Sequence, residues 1–368
     1  MAYIKGMIKS EDLEKIITKK DLQYLILLGQ RSNGKSYAVK ERAVKNAYEE
    51  GREFVYLRRY EEDIREYACE MYFADLDVSK ITKGEFDALQ VFRKKVYFSK
   101  KDENGEPTRC IQIGYIQSLN KAERAKSLNF GNADTIIYEE FITENTYLNN
   151  EPDRLMNFVS TVFRNRMGVV CLVGNTISRI CPYYGAWGLI HVNTKQKPGS
   201  VDIYSHDLDD GQTVNIGVYR TDALGVQSGM FFGKSNKMIS KGEYYTENFK
   251  RLDKPLDNYN ICYSVVYKHD LSVFLLHLIS DYDNAIGLTW YCEPKTTPIK
   301  DGSRVIANNN LYLPKRVLWT ATFKGLNADE QKAFDLLDAG YIVFNENLTG
   351  TEFYQCLKND KFGKGVRK

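Results

Sequence analysis

The segment Gly29-Gln30-Arg31-Ser32-Asn33-Gly34-Lys35-Ser36 matches the pattern G-x-x-x-x-G-K-[ST] at every fixed position. Such a loop works only between a buried strand and a helix, and both flanks comply. Residues 24–28 form an unbroken apolar run of strand length. Residues 36–50 then set Ala38 or Val39, Ala43, Ala47 and Tyr48 along one helical face before Gly51 ends the helix. The glycines let the backbone curl so that successive N–H groups and the helix N-terminus face an anion. Lys35 then reaches the terminal phosphates and Ser36 ligates Mg²⁺. The loop therefore reads as an ATP and Mg²⁺ site, with Gly29 through Ser36 as the cradle and Tyr37 directly behind it.

A phosphate loop commits the chain to an α/β architecture, and the first two hundred residues agree. Residues 54–57, 135–138 and 169–173 supply three further core strands, with helices predicted over 61–72 and 152–163. Residues 91–116 read as a hairpin around Asn104-Gly105, inserted beside the main sheet rather than built into it. From about Asn193, clusters of Lys, Gly, Asp and Ser displace the apolar runs. Strands return over 261–267, 273–280 and 285–291, and helices over 328–339 and 351–357. A length of 368 residues suits two domains. The expected organisation is a P-loop ATPase domain at 1–206, a linker or hinge module at 207–258, and a smaller α+β domain at 259–368.

Composition narrows the function classes. The longest apolar runs span about five residues, far short of the roughly 20 that cross a bilayer, so no membrane partner is expected. Residues 1–20 lack the apolar centre of a secretory signal, and the mature chain is expected to start at Met1. Seven scattered cysteines and four histidines offer neither a CxxC knuckle nor HExxH spacing, leaving oxygen ligands for any metal and reduced thiols in a cytosol. With 51 basic and 48 acidic residues the net charge of +3 says nothing about a polyanionic partner. The tail 358–368 is basic, as a phosphate-seeking end or a solvated terminus would be.

Hydrolysis needs a second acidic element at the end of another buried strand. The run Thr135-Ile136-Ile137-Tyr138-Glu139-Glu140 provides it, with Glu139 as the Mg²⁺ carboxylate and Glu140 as the base that polarises water. Asp134 and Asp75 are weaker competitors for the metal. A base beside the metal carboxylate places the chain with the ASCE-type P-loop ATPases, which couple hydrolysis to mechanical work. Arg164 and Arg166, in Phe163-Arg164-Asn165-Arg166, are candidates for a guanidinium that reaches a neighbour's γ-phosphate, Arg164 first; two arginines also suit a helix C-terminus. Asn175 ends the strand over 169–173 as a γ-phosphate sensor or a turn residue. Arg58 and Arg59 close the second strand and could meet a nucleotide, DNA or a neighbouring subunit, Arg59 being taken as nucleotide-binding. Arg124 and Lys126 could face DNA or simply be exposed loop charge.

The order of these motifs, with Tyr56-Leu57-Arg58-Arg59-Tyr60, Ile136 through Ile142, Thr161 through Arg166 and Gly174-Asn175, resembles the DNA-packaging ATPases of phi29-like tailed bacteriophages. The resemblance covers most of the first two hundred residues. It implies a terminase-like motor that moves double-stranded DNA through a viral portal into a procapsid, in the host cytoplasm and transiently at the portal vertex. It implies a homo-oligomeric ring, a pentamer by this likeness, and in some relatives a structural RNA. Residue by residue it implies Lys35 and Ser36 on phosphate and Mg²⁺, Glu140 as catalytic glutamate and Arg164 as the trans-acting finger. Glu139 departs from the family's Asp. The resemblance also implies a C-terminal domain of RNase H-like shape without its nuclease site. Independently, the three strands placed over 261–291 contain no carboxylate, where two-metal cleavage needs several. A P-loop switch in portal or capsid assembly, and a full terminase with active nuclease, are the alternative readings.

Overall fold

A computed structural model describes residues 7–143, 147–164, 166–176, 178, 180–189, 192, 196–222, 246–269, 272–281, 287–300, 303, 305–307, 317–318 and 328–359. The chain divides into two compact units. The first is built on strands β1 (Tyr24–Gly29), β2 (Glu53–Arg58), β3 (Ala88–Phe92), β4 (Lys95–Lys101), β5 (Pro107–Ser118), β6 (Ala133–Glu139), β7 (Val169–Asn175), β8 (Val201–Asp207) and β9 (Thr213–Arg220). They form one sheet in the order β3-β4-β5-β2-β6-β7-β1-β9-β8. The six strands from β5 to β9 run parallel, and antiparallel partners close both edges.

The four strands expected from apolar runs occupy the centre, and β1 is buried along its whole length. Parallel strands covered on both faces need such runs because neither side meets water. Helices α1 (Ser10–Lys20), α2 (Lys35–Glu50), α3 (Glu66–Phe73), α4 (Val78–Ile81) and α5 (Glu151–Phe163) accompany them. On α2, Ala38, Val39, Ala43, Val44 and Ala47 are buried in a core shared with Leu25, Leu27, Phe54, Tyr56, Ile137 and Cys171. The helix predicted over 61–72 is a 3₁₀ turn at Glu61–Ile64 followed by α3, interrupted at the extended residue Arg65.

Two boundaries are corrected. The 91–116 hairpin is not an insertion: β5 pairs in parallel with β2, Phe54 opposite Gly114 through Arg58 opposite Ser118, so the hairpin extends the main sheet. The boundary at 206/207 falls inside the β8–β9 hairpin, whose β9 pairs with β1, and the first unit runs to Glu243. Of the expected hinge, residues 223–245 lie outside the described residues, as do the tail from 360 and Asn165.

The second unit comprises residues 144–147, 178–187 and 244–368, with the short helix α6 (Pro182–Ala186). Its sheet contains β10 (Tyr259–His269), β11 (Ser272–Asp281), β12 (Thr289–Pro294), β13 (Val305–Ala307), β14 (Val317–Leu318) and β15 (Ile342–Phe344), in the order β14-β13-β10-β11-β12-β15. An antiparallel meander β10-β11-β12 carries parallel β13 and β14 beyond its first strand and parallel β15 beyond its last. Helices Ala328–Asp338 and Asn347–Asn359 pack Phe334, Leu337, Phe353 and Cys356 against Trp290, Phe274 and Tyr267. The third strand ends three residues later than predicted and therefore includes Glu293, whose carboxylate accepts the Tyr291 hydroxyl at 3.2 Å, and the second ends in Asp281, so the three strands are not, as expected, free of carboxylates. Among the described residues no three His, Cys, Asp or Glu side chains are grouped to hold a metal, and no helix is long and apolar enough to cross a membrane.

Candidate nucleotide site

Parallel topology brings the carboxyl ends of β2, β6, β7 and β1 side by side, where ligands bind in open α/β sheets. The loop leaves β1 at Gly29 and enters α2 at Gly34, whose φ of 86° is the left-handed conformation that favours glycine. A Cβ on Gly29 would lie 1.9 Å from Thr221 Oγ1, so the close approach of the β9 exit requires glycine there. Asn33 donates to the same Thr221 hydroxyl, which itself donates to Leu28 O at 3.0 Å. Thr221 thus ties the loop to the neighbouring strand.

Lys35 is buried, and its Nζ donates to Gln30 O at 2.7 Å, Asn33 Oδ1 at 2.9 Å, and Gly29 O and Asn175 Oδ1 at 3.3 Å each. Burial lowers its pKa to about 7, opposed by the Glu139 carboxylate. Asn175, opposite Gly29 in the β1–β7 register, therefore touches the loop lysine. The first turn of α2 has neither a side-chain cap nor an acidic residue, leaving its N–H groups suited to an anion. Arg31 and Ser32 are exposed at the loop tip, while Gln30 and Asn33 are buried.

Glu139 ends β6 with its carboxylate buried. Ser36 and Tyr72 both donate to it, Tyr72 at 2.8 Å. Burial pushes its pKa up, against those hydrogen bonds and the charges of Lys35 and Arg58. A hydroxyl and a carboxylate side by side are a hard oxygen donor set that fits Mg²⁺. The next residue, Glu140, leaves the strand with φ 56° and a side chain 64% exposed, held by Arg58 Nη2 at 2.6 Å.

Three sequence expectations change. Arg59 does not face a nucleotide: it is buried and donates to both Glu151 carboxylate oxygens, at 2.8 and 3.0 Å, and to the carbonyls of Glu140 and Phe141, at 3.0 and 2.6 Å. Tyr37 packs into the core with its hydroxyl on Glu41, and burial raises its pKa to about 12. Asp75 pairs with Lys40, and Asp134 accepts from Thr135 and Arg52 at the opposite end of β6, so neither joins Ser36. Of the two arginines that close the second strand it is Arg58, not Arg59, that meets Glu140. Tyr72, Glu151 and Thr221 were missed as site residues, and no local signal marks them.

Arg164 and Arg166 lie beyond the C-terminus of α5, beside residues 128–131 that precede β6. Arg166 donates to the carbonyls of Gly131, Val162 and Phe163, whereas the exposed Arg164 side chain makes one bond among the described residues, from Nη2 to Leu128 O at 3.2 Å. Both therefore lie by the start of β6, at the end of the strand away from Glu139, which a seven-residue strand separates by roughly 20 Å along its length.

A family model described as podovirus DNA encapsidation protein (Gp16) matches residues 11–207. The DNA packaging protein of Bacillus phage B103 is 27% identical over 339 residues, covering 87% of this chain and 96% of that protein. The DNA packaging protein of Bacillus phage phi29 is 30% identical over 173 residues, 45% of this chain and 46% of its own length. The solved bacteriophage Phi-29 viral genome packaging motor assembly has a chain similar in fold, with a TM-score of 0.56 and 20% identity over 96% of this chain and 99% of that one. The solved Phi-28 gp11 DNA packaging motor gives 0.50 and 18% over 97% and 99%.

Proposed function

This chain belongs to the podovirus DNA encapsidation protein (Gp16) family, and we propose that it works as an ATP-driven, Mg²⁺-dependent motor subunit translocating double-stranded DNA at the portal of a procapsid. The observation that carries the chemistry is the convergence of Lys35, Ser36, Glu139, Glu140 and Asn175 at the ends of adjacent parallel strands.

In this reading the loop N–H groups and Lys35 bind the β- and γ-phosphates, and Ser36 and Glu139 hold Mg²⁺. The metal ion supplies charge neutralisation on the transferring phosphoryl group. Glu140 orients the attacking water and takes its proton, while Arg58 fixes the carboxylate. Asn175 contacts Lys35, and three residues later the chain enters the 178–187 stretch of the second unit. That continuity supports a role in passing the state of the γ-phosphate onward.

Arg164 lies at the far end of its own sheet from its own loop. That placement argues against a cis role and supports a finger supplied to the next subunit of a homo-oligomeric ring. We take the second unit as a binding platform without nuclease activity. A switch without turnover would need neither Glu140 nor Arg164. Packaging into portal-bearing procapsids separates the two readings: a motor renders DNA nuclease-resistant in proportion to ATP consumed, and assembly without protected DNA would favour the switch.

A further inference from the structure

The turn Arg93-Lys94 joins β3 to β4 at the sheet edge remote from the P-loop strand. A two-residue hairpin loop of this kind needs positive φ at both positions and favours Asn-Gly or similar pairs. Here φ is 48° at Arg93 and 61° at Lys94. Left-handed backbone is unfavourable for long side chains, and such outliers concentrate where the side chain serves a function.

The side chains are distinctive. The guanidinium carbon of Arg109 lies 4.1 Å from the centroid of the Phe92 ring, and that of Arg93 lies 5.1 Å from the same centroid. Both arginines are exposed, and among the described residues neither has a carboxylate partner. Lys94 differs, being paired with Glu61. Lys95, cross-strand partner of Phe92, adds a third cation on the neighbouring strand, with Tyr97 opposite Gln90 two pairs along. Like charges gathered on one ring without a counter-charge repel each other, and the arrangement becomes favourable when an anion spans them. The ring pre-orients the guanidinium planes for phosphate.

We propose that Phe92, Arg93, Lys95 and Arg109 form a contact surface for the phosphodiester backbone of double-stranded DNA. The cations stand on the β3–β4 turn, on β4 and on β5, the two arginines exposed and Lys95 half-buried, and such an open surface suits an extended polyanion over a single nucleotide. The contact is sequence-independent. It rests on the reading of this chain as a DNA motor.

The test is the full-length double variant Arg93→Gly/Arg109→Gln. Glycine relieves the left-handed turn, so the melting temperature should not fall. Fluorescence anisotropy with a labelled random-sequence DNA duplex is measured across salt concentration. Loss of two phosphate contacts lowers the log–log salt slope by about two and weakens low-salt binding by about tenfold or more. ATP hydrolysis without DNA should stay at the wild-type level. A folded variant with unchanged slope and affinity overturns the proposal, as does a loss seen with duplex RNA but not with DNA. If the wild type hydrolyses ATP and binds DNA yet the variant matches it, only this inference fails. If the wild type does neither, the motor reading fails with it.

Discussion

Arg59 and Glu151 are joined by two hydrogen bonds with only 5% and 1% of either residue exposed, and the same guanidinium holds the main-chain carbonyls of Glu140 and Phe141. Tyr138 and the Leu148 N–H fill remaining positions on the carboxylate, each at 2.8 Å. The pair thus anchors the turn on which Glu140 sits in a left-handed conformation. Removing one partner strands a buried charge, so Glu151→Ala should cost about 3–5 kcal/mol of stability by chemical denaturation. Arg59→Lys keeps the charge but lacks the planar fork. It should lower kcat while leaving KM near wild type, because nucleotide binding does not use the turn. An unchanged kcat would mean that the turn holds Glu140 without the fork.

Lys35 predicts a proton linkage. Its folded pKa is depressed to about 7 from an unfolded value near 10.4. Between those values the unfolded chain binds more protons, so this group makes stability rise with pH there, and its penalty is complete below about pH 7. Bound polyphosphate favours the charged ammonium. ATP binding at about pH 8.5 should therefore take up close to one proton, and much less at pH 6. Calorimetry in buffers of different ionisation enthalpy reads this directly. Lys35→Arg should abolish the uptake, and buffer-independent heats for wild type at the higher pH would refute the assignment.

The two arginines after α5 should separate. Arg166→Ala leaves carbonyls of Gly131, Val162 and Phe163 without their donor and should lower the melting temperature. Arg164→Ala should melt as wild type and bind ATP as a monomer, yet eliminate hydrolysis in the assembled ring. Mixed with wild type, it should contribute working loops to neighbours that retain the arginine. Loss of monomer ATP binding would contradict the trans role.

For the second unit, supercoiled plasmid incubated with purified protein and Mn²⁺ should remain uncut. Glu293 is engaged by Tyr291, and the described residues hold no carboxylate cluster. Cutting that persists through purification would overturn the reading of a binding platform.

What sequence could and could not reveal follows from range. The loop, the four central strands and the acidic pair were legible because a phosphate cradle is contiguous and buried parallel strands are uniformly apolar. The Arg59–Glu151 pair spans 92 positions and Asn33–Thr221 spans 188, and nothing local marks such partners. Arg59 was misjudged for the same reason, since a buried arginine and a phosphate-binding one look alike until the carboxylate is located. The edge hairpins were misplaced because half-exposed β8 and β9 lack the apolar runs that identify central strands. Glu293 falls outside the predicted strand because the end of that strand was placed three residues early.

The most direct test is steady-state ATP hydrolysis with Mg²⁺, with and without double-stranded DNA, for wild type and Glu140→Gln. DNA should raise the wild-type rate, and salt should diminish that effect. Glu140→Gln should bind ATP normally and lose about 10²–10⁴-fold in turnover, the usual contribution of a positioned base. Normal turnover by Glu140→Gln would contradict the account at its centre.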